Sequence, residues 1–308
     1  MTISFFFLLL VLILPSCRPT EKSRLAHLES DQGILFTENG ENVLFYQRAP
    51  KSFSGQHTRN NYVHPLWSLD GDTLTEDYPP DHAHHRGIFW TWHRLTVGDI
   101  ALGDAWECRN FVWDVTDVQI EEAPAGAKTL AVTVLWKSPD LVDEDGQMIA
   151  AVRESTRITI HPRSADSRVI DFDIRLLALL DSVRIGGADD VKGYGGFSAR
   201  LKCPDDLVFL SATGQVAPKN EAVEAGPWLN MLATFSGERR SGCAILNHPD
   251  NPAPIDRWIL RQSRSMQNPV YPGRELVPIS KTVPTKLRYR IILYRGDADI
   301  GRLYSDYK

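Results

Sequence analysis

Apolar and charged residues alternate along Val169-Ile170-Asp171-Phe172-Asp173-Ile174-Arg175-Leu176. A period of two marks a strand with one buried face, because successive side chains of an extended chain point to opposite sides. The segment Leu287–Leu293 repeats the pattern: Leu287, Tyr289, Ile291 and Leu293 share one face, and Arg288 and Arg290 lie on the other. Further runs rich in β-branched and aromatic residues lie at 42–48, 111–120, 130–136, 155–162, 207–211 and 243–248. Turn formers such as Asp145-Gly146 and Gly186-Gly187 separate such runs. No stretch keeps a 3.6-residue period beyond two turns, and residues 98–108 are the one place where a short helix is expected. There is no internal repeat and no low-complexity linker. The pattern predicts a single large antiparallel all-β domain over residues 31–308, a sandwich or a barrel.

The first residues follow a different pattern. Phe5–Leu14 is an unbroken apolar run, short for a membrane span. It ends in Leu14-Pro15-Ser16-Cys17, which resembles a bacterial lipoprotein signal with Cys17 as the lipidated residue. On this reading residues 1–17 are the signal segment and 18–30 a polar tether. The protein is then exported to the periplasm or cell surface and held to a membrane by its lipid alone. Plain secretion or an uncleaved anchor is the alternative.

Composition narrows the picture in three ways. With 308 residues, 43% of them hydrophobic, the chain can bury one sizeable core. A net charge of -5 without a long basic run excludes a nucleic-acid footprint. Cys108, Cys203 and Cys243 are odd in number and have no CxxC spacing, so neither a disulfide scaffold nor a cysteine zinc site is expected.

The chemistry concentrates in residues 77–93, DYPPDHAHHRGIFWTWH, which hold four of the nine histidines of the chain. Pro79 and Pro80 exclude a central strand, so the histidines sit where a loop enters the aromatic strand IFWTWH. If this segment is extended, His82 and His84 point to one side and His85 to the other. Histidine exchanges protons near neutral pH, so His84 and His85 are the candidate acid/base residues. Asp81 can orient an imidazole through its N–H. Arg86 can stabilise negative charge on a substrate oxygen. Crowding of the imidazoles against one another and Arg86 should lower their pKa values. A metal-dependent alternative uses His82 and His84 as ligands to a divalent cation, with a third ligand such as His64 or His248. No cofactor is otherwise implied.

Other candidates surround this segment. His64 and Trp67 precede it, and Trp67, Trp90, Trp92 and Trp258 can offer faces for the C–H surface of a sugar, unless they belong to the core. The stretch KGYGGFSAR, 192–200, lacks both GxGxxG and GxxxxGK[ST] and precedes no helix, which excludes a phosphate loop. Its glycines let a strand bend or a ligand approach, with Tyr194 nearby and Arg200 facing a pocket or pairing on the sheet surface. His248 and Asn268, each beside a proline, are expected in loops at one end of the sandwich. Glu154 enters a charged strand and serves either as a second base or in a surface salt bridge. No GxSxG occurs, and spacing alone does not single out a carboxylate pair among Asp77, Asp81, Glu107, Glu154 and Asp189.

The segments HPLWSLDGDTLTEDYPPDHAHHRGIFW and KGYGGFSAR, with Gln267-Asn268-Pro269, resemble the PmoA-like family of secreted bacterial proteins, most specifically in DHxHHRG at 81–87. The resemblance covers most of the chain after residue 30. It implies a fold similar to the galactose-mutarotase β-supersandwich, whose relatives include mutarotases, glycoside hydrolases and polysaccharide lyases. Together with the histidine segment, this leads to an expected exported carbohydrate-active enzyme working by acid/base chemistry on a sugar or oligosaccharide: cleavage, elimination or epimerisation. A non-catalytic glycan-binding lipoprotein is the rival. It would use the same tryptophans without needing clustered histidines.

Overall fold

The computed structural model of the chain describes residues 24–237 and 239–307. Cys17, the signal segment and the first part of the expected tether lie outside the described residues. Two antiparallel sheets dominate. The smaller has six strands in the order Leu25–Glu29, Gly33–Glu38, Glu41–Gln47, Tyr62–Leu66, Ile88–Thr91 and Gly196–Ala199. The larger has nine, beginning Val112–Glu122, Lys128–Val142, Met148–Ile160, Ser167–Ala178, Thr285–Arg295, Arg239–Asn247 and Trp228–Ser236. Rings from the two sheets meet in the core between them. Phe172 of the larger sheet lies 6.1 Å from Trp90 and 5.0 Å from Phe197 of the smaller. Phe197 also stacks on Tyr289 at 4.4 Å. The protein is thus an all-β sandwich.

The period-two segments form the centre of the larger sheet. Ile170, Phe172, Ile174 and Leu176 are buried, and their register partners on the next strand include Ile291, Tyr289 and Leu287. Arg290 pairs with Asp171 on the opposite face. That face is partly covered by the helix Ile300–Ser305, whose Ile300 and Tyr304 pack on Ala244, Leu246, Ile292 and Tyr294. No helix among the described residues is long and apolar enough to cross a membrane.

Two expectations change. The domain begins before residue 31: Leu25–Glu29 pairs along its whole length with Gly33–Glu38, and Leu25 is buried. Residues 98–108 form no helix but the short strand Ile100–Ala101 and a series of turns. Gly98, Gly103 and Cys108 all have positive φ there, which a right-handed helix does not tolerate.

The smaller sheet positions the histidine segment. The loop from Asp77 to Arg86 leaves and re-enters beside the strands Tyr62–Leu66 and Ile88–Thr91, closed by the bridge between Asp77 and Arg86. Gly87 makes this re-entry possible: its φ is +25°, and a Cβ there would lie 2.0 Å from the carbonyl oxygen of Val63. The glycines of 192–196 serve a similar close approach of backbone to backbone. A Cβ on Gly187 would lie 2.2 Å from the carbonyl oxygen of Gly193.

Candidate functional site

The histidine loop is coiled, not extended. The amide of His82 donates to Pro79 O and that of His85 to His82 O, two consecutive turns. The coil gathers all three imidazoles instead of splitting them between two sides. The rings of His82 and His85 stack at 4.7 Å, and His84 meets them edge-on at 5.7 and 4.6 Å. They line one wall of a cavity of about 400 Å³. Trp106 and Tyr194, in edge-to-face contact at 4.9 Å, form an aromatic part of that cavity. Residues 261–266, with Arg261 and Arg264, close another side. A second cavity of about 660 Å³ adjoins it, sharing Ser263 and Arg264 and lined also by Glu76, Asp81, Arg200 and Asp205.

Asp81 and Arg200 organise the boundary between the two cavities. Both carboxylate oxygens of Asp81 accept from Arg200, at 2.8 and 3.0 Å, and one also meets His82 Nδ1 at 2.7 Å. Arg200 Nε donates to Glu76 at 2.7 Å, and its Nη1 lies 3.4 Å from His85 Nδ1. Partial burial pushes the Asp81 carboxyl up, but the bonds from Arg200 and His82 outweigh it and hold its pKa at about 2. Asp81 thus accepts from an imidazole as expected, and the imidazole is that of His82.

His84 and His85 are held neutral. Burial, then the imidazoles of His82, His57 and His93 and the charge of Arg86, lower the His84 pKa to about 3. Burial, then His84, His82, Arg200 and Arg86, press His85 well below its ordinary value. His84 Nδ1 lies 3.4 Å from Glu107 Oε2, which leaves Nε2 to exchange a proton with a substrate. His85 is 2% exposed and touches Trp106 edge-on at 6.0 Å. Behind the aromatic wall, His93 stacks on Trp106 and is bound through Nδ1 to Asp104 at 3.0 Å.

Arg86 does not face this cavity. It is fully buried, with its guanidinium 3.6 Å from the centre of the Tyr78 ring. It donates to the carbonyls of Ala83, His85 and His57 and pairs with Asp77 at 3.5 Å. It clamps the coiled loop from beneath, and its burial keeps it from a substrate oxygen. The arginines that do line the cavity are Arg261 and Arg264.

Several other candidates lie elsewhere. Glu154 is fully buried and enclosed by Trp90 Nε1 at 2.6 Å, Trp136 Nε1 at 2.8 Å, Asn61 Nδ2 at 2.9 Å and Thr156 Oγ1 at 2.6 Å. It is neither a surface ion pair nor within reach of a ligand. Trp90, Trp92 and Trp258 are core residues with their indole N–H groups bonded inside, to Glu154, Tyr271 O and Gly226 O. Asn268 is buried and staples the glycine stretch, bonding Gly195, Phe197 O and Pro269 O. His248 packs on Tyr307 and accepts from the amide of Asp250, and it lines neither cavity. His64 is half-buried with Nδ1 on Thr75 Oγ1 at 2.9 Å, and burial foremost lowers its pKa to about 4. Trp67 bridges to Thr73, away from the cavity walls. Of the aromatic and polar candidates, Tyr194 and Arg200 line the cavities.

The metal alternative does not fit this donor set. The Asp81 bond to His82 Nδ1 is one a metal-bound imidazole would also make, but the third ligands expected, His64 and His248, are bound away from the loop. Among the described residues no three His, Cys, Asp or Glu side chains are grouped to hold an ion.

Reading the sequence missed Trp106, Lys192, Arg261 and Arg264, and listed Glu107 only among undistinguished carboxylates. The run RQSRSM at 261–266 is charged and aperiodic, a loop signal, but nothing in it points to the histidines. That link is made by folding alone.

Residues 34–308 match the model of DUF6807, a family of unknown function, so the chain belongs to that family. No curated protein matches the chain.

Proposed function

We propose that this protein is an exported carbohydrate-active enzyme that uses His84, supported by His85, as acid/base on a sugar or oligosaccharide. The observation that carries the reading is the gathering of three imidazoles, two of them held neutral by burial, on the wall of a polar cavity with an aromatic face. A neutral imidazole has a lone pair to accept a proton from a sugar hydroxyl or ring carbon. With Nδ1 turned toward Glu107 at 3.4 Å, His84 presents Nε2, and the nearby carboxylate stabilises the imidazolium that forms. The half-buried Tyr194 offers apolar surface for the C–H face of a sugar ring, backed by the buried Trp106. Negative charge developing on a substrate oxygen meets Arg261 or the Tyr194 hydroxyl, in the place first assigned to Arg86. Elimination and epimerisation begin with such an abstraction, whereas cleavage needs an imidazolium to deliver a proton to the leaving oxygen.

The resemblance to PmoA-like proteins and to the galactose-mutarotase supersandwich agrees with this reading, and the all-β sandwich is compatible with it. Export and anchoring through Cys17 belong to the same proposal and rest on the apolar run Phe5–Leu14. Labelled fatty acid should enter the wild type and not Cys17→Ser; equal labelling removes the anchor. For the activity, a screen on oligosaccharides and keto sugars should find turnover that falls roughly 10²-fold or more in His84→Ala, the usual cost of a lost acid/base. Full turnover by folded His84→Ala and His85→Ala on the same substrate would leave the cluster structural.

A further inference from the structure

The histidine cavity carries a charge imbalance that the acid/base reading does not use. Lys192, Arg261 and Arg264 line it, against one carboxylate, Glu107, which already faces His84. Lys192 has a loose partner in Asp190, at 3.6 Å. Neither Arg261 nor Arg264 is paired with an acidic side chain among the described residues. Arg261 spends one nitrogen, Nη1, on the carbonyls of Lys219 and Leu260, which fixes its stem and leaves the rest of its fork for another acceptor. Arg264 sits at the junction of both cavities with a positive φ of 52°, a backbone conformation that costs a non-glycine residue energy and is found preferentially at ligand sites. Arg264 is exposed and Arg261 half-buried; a half-buried guanidinium without a counter-charge favours an oxyanion, and the planar fork fits a carboxylate in two parallel hydrogen bonds.

We propose that the sugar received by the histidine cavity is acidic and bears a carboxylate bound by Arg261 and Arg264, with Lys192 adding charge. This rests on the reading of the site as carbohydrate-binding. The adjoining cavity has the opposite character. Glu76, Asp81 and Asp205 there outnumber Arg200 and the shared Arg264, and Arg200 is already held by Glu76 and Asp81. A second ring extending into that cavity is therefore neutral, because a carboxylate would meet like charge. The ligand is an oligosaccharide in which a uronate adjoins a neutral sugar. Its anion also completes the catalytic group: a negative charge beside the imidazoles favours their protonated form and brings them back toward the range where they act as bases.

Titration calorimetry on the purified protein tests this with glucuronate and galacturonate, their methyl esters, a mixed disaccharide of one uronate and one neutral sugar, a diuronate, and a sulfated monosaccharide. The acids should bind at least ten-fold tighter than their esters, and the mixed disaccharide tighter than the diuronate. Arg261→Gln and Arg264→Gln should each remove most of the preference for acid over ester, read as the ratio of the two affinities within each folded variant. No binding of any acid, equal binding of acid and ester, or a preference that survives in the double variant would overturn the proposal. Tighter binding of the sulfated sugar would overturn the carboxylate, and tighter binding of the diuronate the neutral neighbour. The acid preference should persist in His84→Ala, since it depends on charge rather than proton transfer. If His84→Ala also keeps full turnover, the acid/base reading fails alone. If turnover needs His84 but only neutral sugars bind, this inference fails alone.

Discussion

At the residue scale, buried charge separates what holds the site from what uses it. Arg86 is the clearest case, because three carbonyls, Asp77 and the face of Tyr78 occupy its guanidinium. Removing one partner of such a group leaves the others unpaired, a loss of roughly 3–5 kcal/mol. Arg86→Lys keeps the charge but not the fork, so it too should lower stability, read as a drop in the urea midpoint; an unchanged midpoint would show that the clamp is dispensable. Glu154 has the same character. Glu154→Ala strips the acceptor from two indoles, Asn61 and Thr156, at about 1–3 kcal/mol for each donor left buried. Its stability should fall while activity per folded molecule stays at the wild-type value. A selective loss of turnover would return Glu154 to the chemistry. In the sequence these two residues looked like catalytic candidates because residue type shows chemical capacity but not burial. Both are charged residues close to the motif or in a strand, and only the folded partners distinguish a clamp from a catalyst.

At the element scale, period and turn chemistry were legible where one face of a strand is buried. The strands Ser167–Ala178 and Thr285–Arg295 show this, with their alternating burial. The pattern was less informative where neither period holds. Residues 98–108 contain enough apolar residues to suggest a helix, but left-handed backbone at Gly98, Gly103 and Cys108 turns the chain instead and carries Trp106 and Glu107 to the histidines. The split of the histidines between two sides holds only for an extended segment, whereas two turns and the Arg86 clamp coil it. The first strand was missed because LAHLE is short and does not alternate cleanly, with only Leu25 buried along it. Its pairing still matters: it covers the edge of Gly33–Glu38, an apolar strand that would otherwise present free backbone groups. A chain starting at residue 31 should therefore melt lower and aggregate more readily than one starting at residue 24. Burial of Leu25 alone is worth about 1.5–3 kcal/mol. Equal melting and solubility of the two chains would make the strand an ornament of the edge.

At the scale of the whole molecule, burying neutral imidazoles ties stability to pH. His84 is held at about 3, His64 at about 4, and His85 well below its ordinary value, against 6.5 for an exposed imidazole. Below pH 6.5 the unfolded chain takes up protons at these positions while the folded protein does not. Their contribution is therefore complete above pH 6.5 and declines as pH falls from there toward the folded values, at roughly 1.4 kcal/mol per pH unit for each group. Asp81 behaves differently. Its pKa of about 2 keeps its contribution intact above 3.8 and gives it up only as pH falls toward 2. Loss of stability between pH 6.5 and 4.5 is thus a histidine signature, earlier than the acid unfolding that paired carboxylates produce. Denaturant midpoints at pH 7, 6 and 5 should fall steadily in the wild type and less steeply in His84→Gln, which has no proton to gain. A flat profile over this interval, or the same slope in both proteins, would mean that the imidazoles are hydrated enough to titrate normally. Burial would then not be what sets the protonation of the cluster.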